Sequence, residues 1–207
     1  MEQNGHVFDA SRQIAIKLQT PDGVKTLTVR FPTDEEWIER QRRRKVIIKQ
    51  LGRGASETII PDSDEIDAEL LAKLRDGDGG PEVDGFEAMR ILEQLSQAEV
   101  DDVLPEEGAF RVFLRVPGAL TQHLLEIPSA KDVIHHRKAF ARVLDLQFNK
   151  QSLSVNLQAA ADLYKKLSRE VKGYAGGAVP IIHQAAAVQA AIGALESGLG
   201  VAEPGNF

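Results

Sequence analysis

Apolar and polar residues mostly alternate through Ile14-Ala15-Ile16-Lys17-Leu18 and again through Val24-Lys25-Thr26-Leu27-Thr28-Val29-Arg30-Phe31, the period expected of half-buried strands. Between the two runs lies Thr20-Pro21-Asp22-Gly23, where proline presets φ and glycine supplies a positive φ, so the pattern predicts a hairpin. Pro32 cannot donate to a ladder and ends the second strand. Thr33 and Glu36 then have the spacing of a capping box, which predicts a helix running to about Leu51 and stopped by Gly52 and Gly54.

A shift of 96 residues brings the pattern back without a gap. Ile14, Ile16 and Leu18 fall on Phe110, Val112 and Leu114, the turn becomes Pro117-Gly118, Phe31-Pro32-Thr33 falls on Ile127-Pro128-Ser129, and Ser129 with Asp132 repeats the cap in kind. This points to an internal duplication. Helical periodicity supplies the rest. Ile66, Leu70, Leu71 and Leu74 share one side of a segment from Asp64 to Arg75, and Phe86, Met89, Ile91, Leu92 and Leu95 form the next buried stripe. In the second half, Leu153, Leu157, Ala160, Ala161, Tyr164 and Leu167 mark a helix to about Val171, and Pro180 opens a final Ala-rich one. Gly52 to Ser63 reads as a mobile loop.

The expected fold is therefore α+β, two pseudo-repeated units of a β-hairpin plus three helices, mostly helical overall. Its divisions are a tail at 1–12, a first unit at 13–108, a second at 109–198 and a C-terminal tail at 199–207. The hairpins could join in one four-stranded sheet or form separate lobes. Because an isolated hairpin is marginal in water, one compact pseudo-symmetric body is the favoured arrangement.

At 207 residues, 43% hydrophobic and 27% charged, the chain has an ordinary globular composition. It has no apolar run long enough to span a bilayer, and its start lacks the regions of a signal peptide, so a cytoplasmic location is expected. Cysteine is absent, which excludes a disulfide, a thiolate metal site and a cysteine nucleophile.

Charge changes the picture more than composition does. The formal net charge of −6 argues against a general nucleic-acid binder, yet Arg40, Arg42, Arg43, Arg44, Lys45, Lys49 and Arg53 follow one another with no acid between them. From Pro61 to Glu107 sixteen acids then face Lys73, Arg75 and Arg90 alone, so the two stretches should attract each other or opposite partners. From Glu39 to Lys45 there is no apolar residue, so this part of the helix has no core stripe and is expected to project from the body. One reading is a solvated extension whose arginine heads pair with the acids after Pro61. The other is a partner-binding surface made of Arg40, Arg42, Arg43, Arg44, Lys45 and Lys49, suited to an acidic protein or to phosphate. Nucleic acid is the less favoured ligand because no aromatic residues interleave to stack bases.

Catalytic patterns are missing. His6, His123, His135, His136 and His183 show no metal-ligand spacing, and His183 reads as a packed, hydrogen-bonded histidine. Asp62 to Asp67 and Asp76 to Gly80 lack the ligand spacing of a calcium loop and read as helix capping and an acidic turn. No phosphate-cradling glycine loop and no GxSxG elbow occurs. No cofactor or metal is expected, and an enzyme is the weakest reading.

The hairpin of type Ile-x-Ile-x-Leu-x-x-Pro-Asp-Gly leading into Val-Arg-Phe-Pro-Thr-Asp-Glu-Glu-Trp and a charged helix, Ile14 to Leu51, resembles small accessory proteins of tailed bacteriophages and prophages, especially the tail assembly chaperone-like group. The resemblance implies a non-enzymatic adaptor that holds a tail component before assembly, in the host cytoplasm or the virion, without cofactor. It carries over no functional residues. A protein partner or self-association follows as the first expectation, with a nucleic-acid-binding accessory factor using the basic stretch 40–53, and an unrecognised enzyme, as the alternatives.

Overall fold

The computed structural model describes residues 7–20, 23–44, 47–52, 55–59, 61–77, 81–144 and 156–199, with backbone alone at 20, 47–52, 55–59 and 140–144. The chain is α+β. It divides into two compact units, one drawn from Met1–Phe8, Gln97–Arg142 and Val155–Phe207, the other from Asp9–Ser96 and Val143–Ser154.

In the second of these units, strands β1 (Gln13–Thr20) and β2 (Gly23–Arg30) form the expected antiparallel hairpin, in continuous register from Gln13↔Arg30 to Thr20↔Gly23. Its inner face carries Ile16, Leu18, Leu27 and Val29, all buried. Helix α1 (Asp34–Arg43) opens with the full capping box, Thr33 accepting from the Glu36 amide while the Glu36 carboxylate accepts from the Thr33 amide. It stops at Arg43, eight residues short of the expected end. Strands β3 (Ile47–Gly52) and β4 (Ala55–Ile59) follow as a second hairpin, where helix and mobile loop were expected. The β-branched pair Ile47-Ile48, with glycine at the end of β3, favours strand over helix there.

Helices α2 (Ser63–Leu74) and α3 (Gly85–Leu95) lie where the apolar stripes put them, with Ile66, Leu70, Leu71, Leu74, Ile91, Leu92 and Leu95 buried. Phe86 and Met89 are the exceptions: Phe86 is 60% exposed and Met89 is half-buried. At Gly85 the two helices approach so closely that a Cβ would lie 2.4 Å from the Asp64 Cβ. The outer edge of β2 is closed by the residues that leave α2, through a bridge between Val29 and Arg75 and a bond from the Asp76 amide to the Thr28 carbonyl.

The other unit is a four-stranded antiparallel sheet in the order β5-β6-β7-β8, made of β5 (Glu99–Glu106), β6 (Ala109–Val116), β7 (Ala119–Glu126) and β8 (Ser168–Lys172). The second predicted hairpin is β6–β7, turning at Pro117-Gly118 with Gly118 at φ 76°. The two hairpins thus belong to different sheets, and β6–β7 has both its edges covered from within the chain, by β5 and β8. Helix α4 (Ala130–Leu144) follows, capped reciprocally by Ser129 and Asp132. Helix α5 (Leu157–Leu167) and helix α6 (Ile181–Glu196) pack together and against the inner face of the sheet.

The expected helix to Val171 ends at Leu167, and Ser168–Lys172 becomes β8. Here ladder pairing with β7 outweighs helical propensity, and Val171 falls opposite His123 on the inner face. Gly173 ends the strand at φ +90°, where a Cβ would stand 2.9 Å from the Leu120 carbonyl oxygen; only glycine fits both conditions. Together β3, β4, β5 and β8 make the chain a more even mixture of strand and helix than expected.

The bounds of the two hairpins keep one offset. Gln13 and Ala109, Thr20 and Val116, Gly23 and Ala119, Arg30 and Glu126, and the first residues of α1 and α4, Asp34 and Ala130, are each 96 residues apart. The ladders share it too, since Gln13↔Arg30 corresponds to Ala109↔Glu126. The correspondence stops after α1, where one half continues with β3–β4 and the other with a longer helix.

Candidate functional site

The basic stretch is the first candidate, and α1 positions its arginines. Trp37 anchors the helix with its ring buried and edge-on to Phe31 at 6.2 Å. One turn later the Arg40 guanidinium lies 5.6 Å from the Trp37 ring centroid and grips Asp67 of α2 with two bonds of 2.8 Å. Asp67 is fully buried, and the Arg40 side chain is only 12% exposed. Arg44 also reaches Asp67, at 3.5 Å, and Arg43 bonds Glu69 at 2.5 Å. Arg42 pairs with Glu39 on its own helix and keeps 73% exposure.

The segment therefore does not project as a whole. A carboxylate taken out of water needs a bidentate cation, or it would shed its charge, so Arg40 is an internal tie between α1 and α2. The acids after Pro61 receive Arg40, Arg43 and Arg44, as the first reading of the basic helix expected. Among the described arginines of the stretch, Arg42 is the one left largely to solvent, with Arg43 partly so. Lys45 and the side chain of Lys49 lie outside the described residues.

The second candidate was not anticipated as a group. On the inner face of β7 sit Thr121 and His123, and beside them Tyr164 of α5, Tyr174 and His183 of α6, all buried. His123 Nδ1 is 2.8 Å from the Tyr164 hydroxyl, and its Nε2 is 3.2 Å from the Tyr174 hydroxyl and 3.3 Å from Thr121 Oγ1. The Tyr174 hydroxyl also lies 3.2 Å from Thr121 Oγ1 and 3.3 Å from His183 Nδ1. Thr121 donates to the Leu114 carbonyl, so it accepts from its other neighbours. His123 is then the Nε2–H tautomer, and its Nδ1 accepts from Tyr164.

Burial sets the charge of this cluster. It pushes His123 down to about 4, and, helped by the positive charge His123 can carry, His183 down to about 3. The same burial pushes Tyr164 up to about 12 and Tyr174 upward as well. Five side chains thus form a neutral hydrogen-bonded core. Such a core orders β7, α5 and α6 against one another and holds no ionised base or nucleophile near pH 7. His183 is the packed histidine that its surroundings in the sequence suggested.

The remaining candidates disperse. His135 is exposed and its neighbour His136 is buried on the other side of α4, and His6 lies outside the described residues. Asp62 caps α2 by accepting from the Asp64 and Glu65 amides, which is the capping role expected of that acidic run. Asp76 accepts from Gln13 at 2.6 Å, while Asp78 to Gly80 lie outside the described residues. Among the described residues no group of three His, Asp or Glu side chains could hold a metal ion, and no helix is long and apolar enough to cross a membrane.

The third candidate is the outer face of the four-stranded sheet, opposite α5 and α6. Paired residues share a face, so the register places Leu104, Phe113, Leu120 and Leu124 there, interspersed with Asp102, Arg111, Arg115 and Gln122. Leu104 and Leu120 are 45% and 44% exposed. Ion pairs rim the apolar residues: Arg115 with Asp101, Arg111 with Glu106 and Glu170, and Arg169 with Glu126. The β5 edge of the same sheet is blunted. In β5 the Val103 amide is taken by its neighbour Asp102 at 2.8 Å, Pro105, two residues on and facing the same way, has no amide to offer, and a bulge lies between Val100 and Asp102. These devices discourage strand addition along β5.

No family model matches the chain, and neither a curated protein nor a solved structure matches it.

Proposed function

We propose that the chain is a non-enzymatic interaction protein that binds a protein partner, an assembly adaptor of the kind implied by the resemblance of Ile14 to Leu51 to phage tail assembly chaperone-like proteins. The observation that carries this reading is the open outer face of the β5–β8 sheet, where large apolar side chains stand among ion pairs on a surface that no described helix of that unit covers. Apolar residues grouped on a face and rimmed by charge are characteristic of protein-binding surfaces. The buried, neutral state of the His–Tyr cluster favours the same reading over catalysis. The nucleic-acid alternative loses ground because Arg40, Arg43 and Arg44 already have carboxylate partners. Arg42 and the exposed part of Arg43 remain available to a partner's acids.

The common 96-residue offset of hairpins, ladders and caps supports the duplication, confined to each hairpin and the start of its following helix. The regions beyond have been elaborated separately.

The test is capture from native lysate with and without nuclease, using the native chain and a Leu104→Arg, Leu120→Arg double variant. Both positions face solvent, so the variant should keep its thermal midpoint. A protein partner retained after nuclease treatment and lost by the double variant is the expected result. Capture abolished by nuclease would favour the nucleic-acid reading instead. A chain that stays monomeric over a hundredfold concentration range and retains nothing would refute the adaptor reading.

A further inference from the structure

The N-terminal end of the described chain is held in an unusual way. Phe8 is 5% exposed, although Val7 before it is 50% exposed and Ala10 after it is exposed. Its ring meets His183 edge-on at 4.9 Å and Tyr174 edge-on at 5.8 Å. Its backbone adds a parallel bridge to Tyr174, with the Phe8 amide donating to the Gly173 carbonyl and the Ala175 amide donating to the Phe8 carbonyl, both at 2.8 Å. One side chain and two backbone bonds thus seat the segment against the buried polar cluster. The binding element also changes allegiance at once: Phe8 packs with the unit that contains β5 to β8, whereas Asp9 begins the other unit. Asp9 itself turns the chain, accepting from the Ser11 amide and hydroxyl.

We propose that Gly173, Tyr174, Ala175 and His183 form a peptide-docking slot, and that its occupant is exchangeable: the N-terminal segment of a second copy of the chain seats its Phe8 there in place of the resident one. Every contact that holds the segment in its own chain is available unchanged to the same segment of another copy, which is the condition for low-cost exchange between protomers. The slot recognises backbone through Gly173 and Ala175 and one aromatic side chain through Tyr174 and His183. It therefore selects an extended segment bearing phenylalanine. Local release of one buried residue exposes far less surface than unfolding, so the seat opens without the rest of the unit. This inference is independent of the partner bound by the outer sheet face.

Two full-length variants test it. Phe8→Ala has an intact slot and no anchor. Ala175→Pro has an intact anchor and a slot without its amide donor, and Tyr174, at φ −118° and ψ 131°, already has the extended backbone that must precede proline. Each alone should sediment as a monomer, and a mixture should give a 1:1 heterodimer. A synthetic peptide of residues 1–12 should bind the Phe8→Ala chain saturably, and the same peptide carrying the Phe8→Ala change should bind about tenfold or more weakly. Absence of both the heterodimer and peptide binding, with Phe8→Ala folded by circular dichroism, overturns the proposal. Hydrogen exchange on the native chain decides the matter even if a variant fails to fold. Exchange of the Phe8 and Ala175 amides that is independent of low urea supports a seat that opens locally, whereas exchange only through global unfolding overturns it.

Discussion

Mild acid should destabilise the unit built on β5 to β8, and the size of the effect follows from two side chains. His123 and His183 have an ordinary pKa of 6.5 when unfolded but about 4 and about 3 in the fold, because burial disfavours the imidazolium. Between those limits the unfolded chain binds protons that the folded chain does not, so stability falls as pH falls. The contribution is complete above the unfolded value and declines through the window from about 6.5 down to the folded values. At pH 5 both rings are still neutral in the fold, while each unfolded ring is nearly fully charged. The loss relative to pH 7.5 is then about 2 kcal/mol per histidine and about 4 kcal/mol for the pair. Burial lowers His136 too, which acts in the same direction. Asp132, held down to about 2 by Lys166 and Ser129, loses its contribution only below its ordinary 3.8, outside the range between pH 7.5 and pH 5. For a denaturant slope of about 2 kcal/mol per molar, the urea midpoint should drop by about 2 M between pH 7.5 and pH 5. Near-ultraviolet circular dichroism of tyrosine is the suitable signal, because Tyr164 and Tyr174 are the chain's two tyrosines and both border the cluster. A His123→Gln, His183→Gln double variant removes the titration and should flatten the dependence. A native midpoint that stays constant between pH 7.5 and pH 5, or either imidazole titrating near 6.5 by NMR, would refute the reasoning.

The other expectations concern the elements that frame the sites. Thr33→Ala and Ser129→Ala each remove a reciprocal helix cap and should cost about 0.5–2 kcal/mol in chemical denaturation; no loss at either position would contradict the cap assigned to it. Arg40→Gln removes the bidentate partner of the buried Asp67, leaves it only the 3.5 Å contact with Arg44, and should cost up to about 3–5 kcal/mol. Arg42→Gln, one exposed pair with Glu39, should change stability by no more than about 1 kcal/mol. Equal losses for the two arginines would show that Asp67 is not held as described.

Much of this architecture was legible because its signals are local. The alternation in Ile14 to Leu18, the caps at Thr33 and Ser129 and the stripe Ile66, Leu70, Leu71, Leu74 depend on near neighbours, and each produced the element expected. Strand β8 did not, because Ser168–Lys172 has no strand signal apart from the open edge of β7, which pairs with it across some forty-five residues of sequence. The β3–β4 hairpin was obscured because Ile47-Ile48 also suits the end of a helix that begins at the Thr33 cap, although β-branched residues favour extended chain. The arginines of α1 were legible as a charged run but not as partners of Asp67, since sequence gives sign and not distance. The His–Tyr cluster left one trace: His123 occupies the inner-face position between Thr121 and Leu125, where an apolar residue is the norm. Its companions come from three other segments, and nothing local joins them.

The route of the chain through its two units bears on the order in which they can form during synthesis. Asp9–Ser96 holds β1 to β4 and α1 to α3 in one uninterrupted stretch, and its partners lie close together in sequence. A ribosome moving toward the C-terminus therefore releases that stretch with nearly everything it needs. Phe8 emerges earlier still, yet Gly173, Tyr174 and His183 are translated more than 160 residues later. Until they appear, the first anchor of the nascent chain has no seat of its own, so the unit holding β5 to β8 closes around Phe8 only after Asp9–Ser96 has been made.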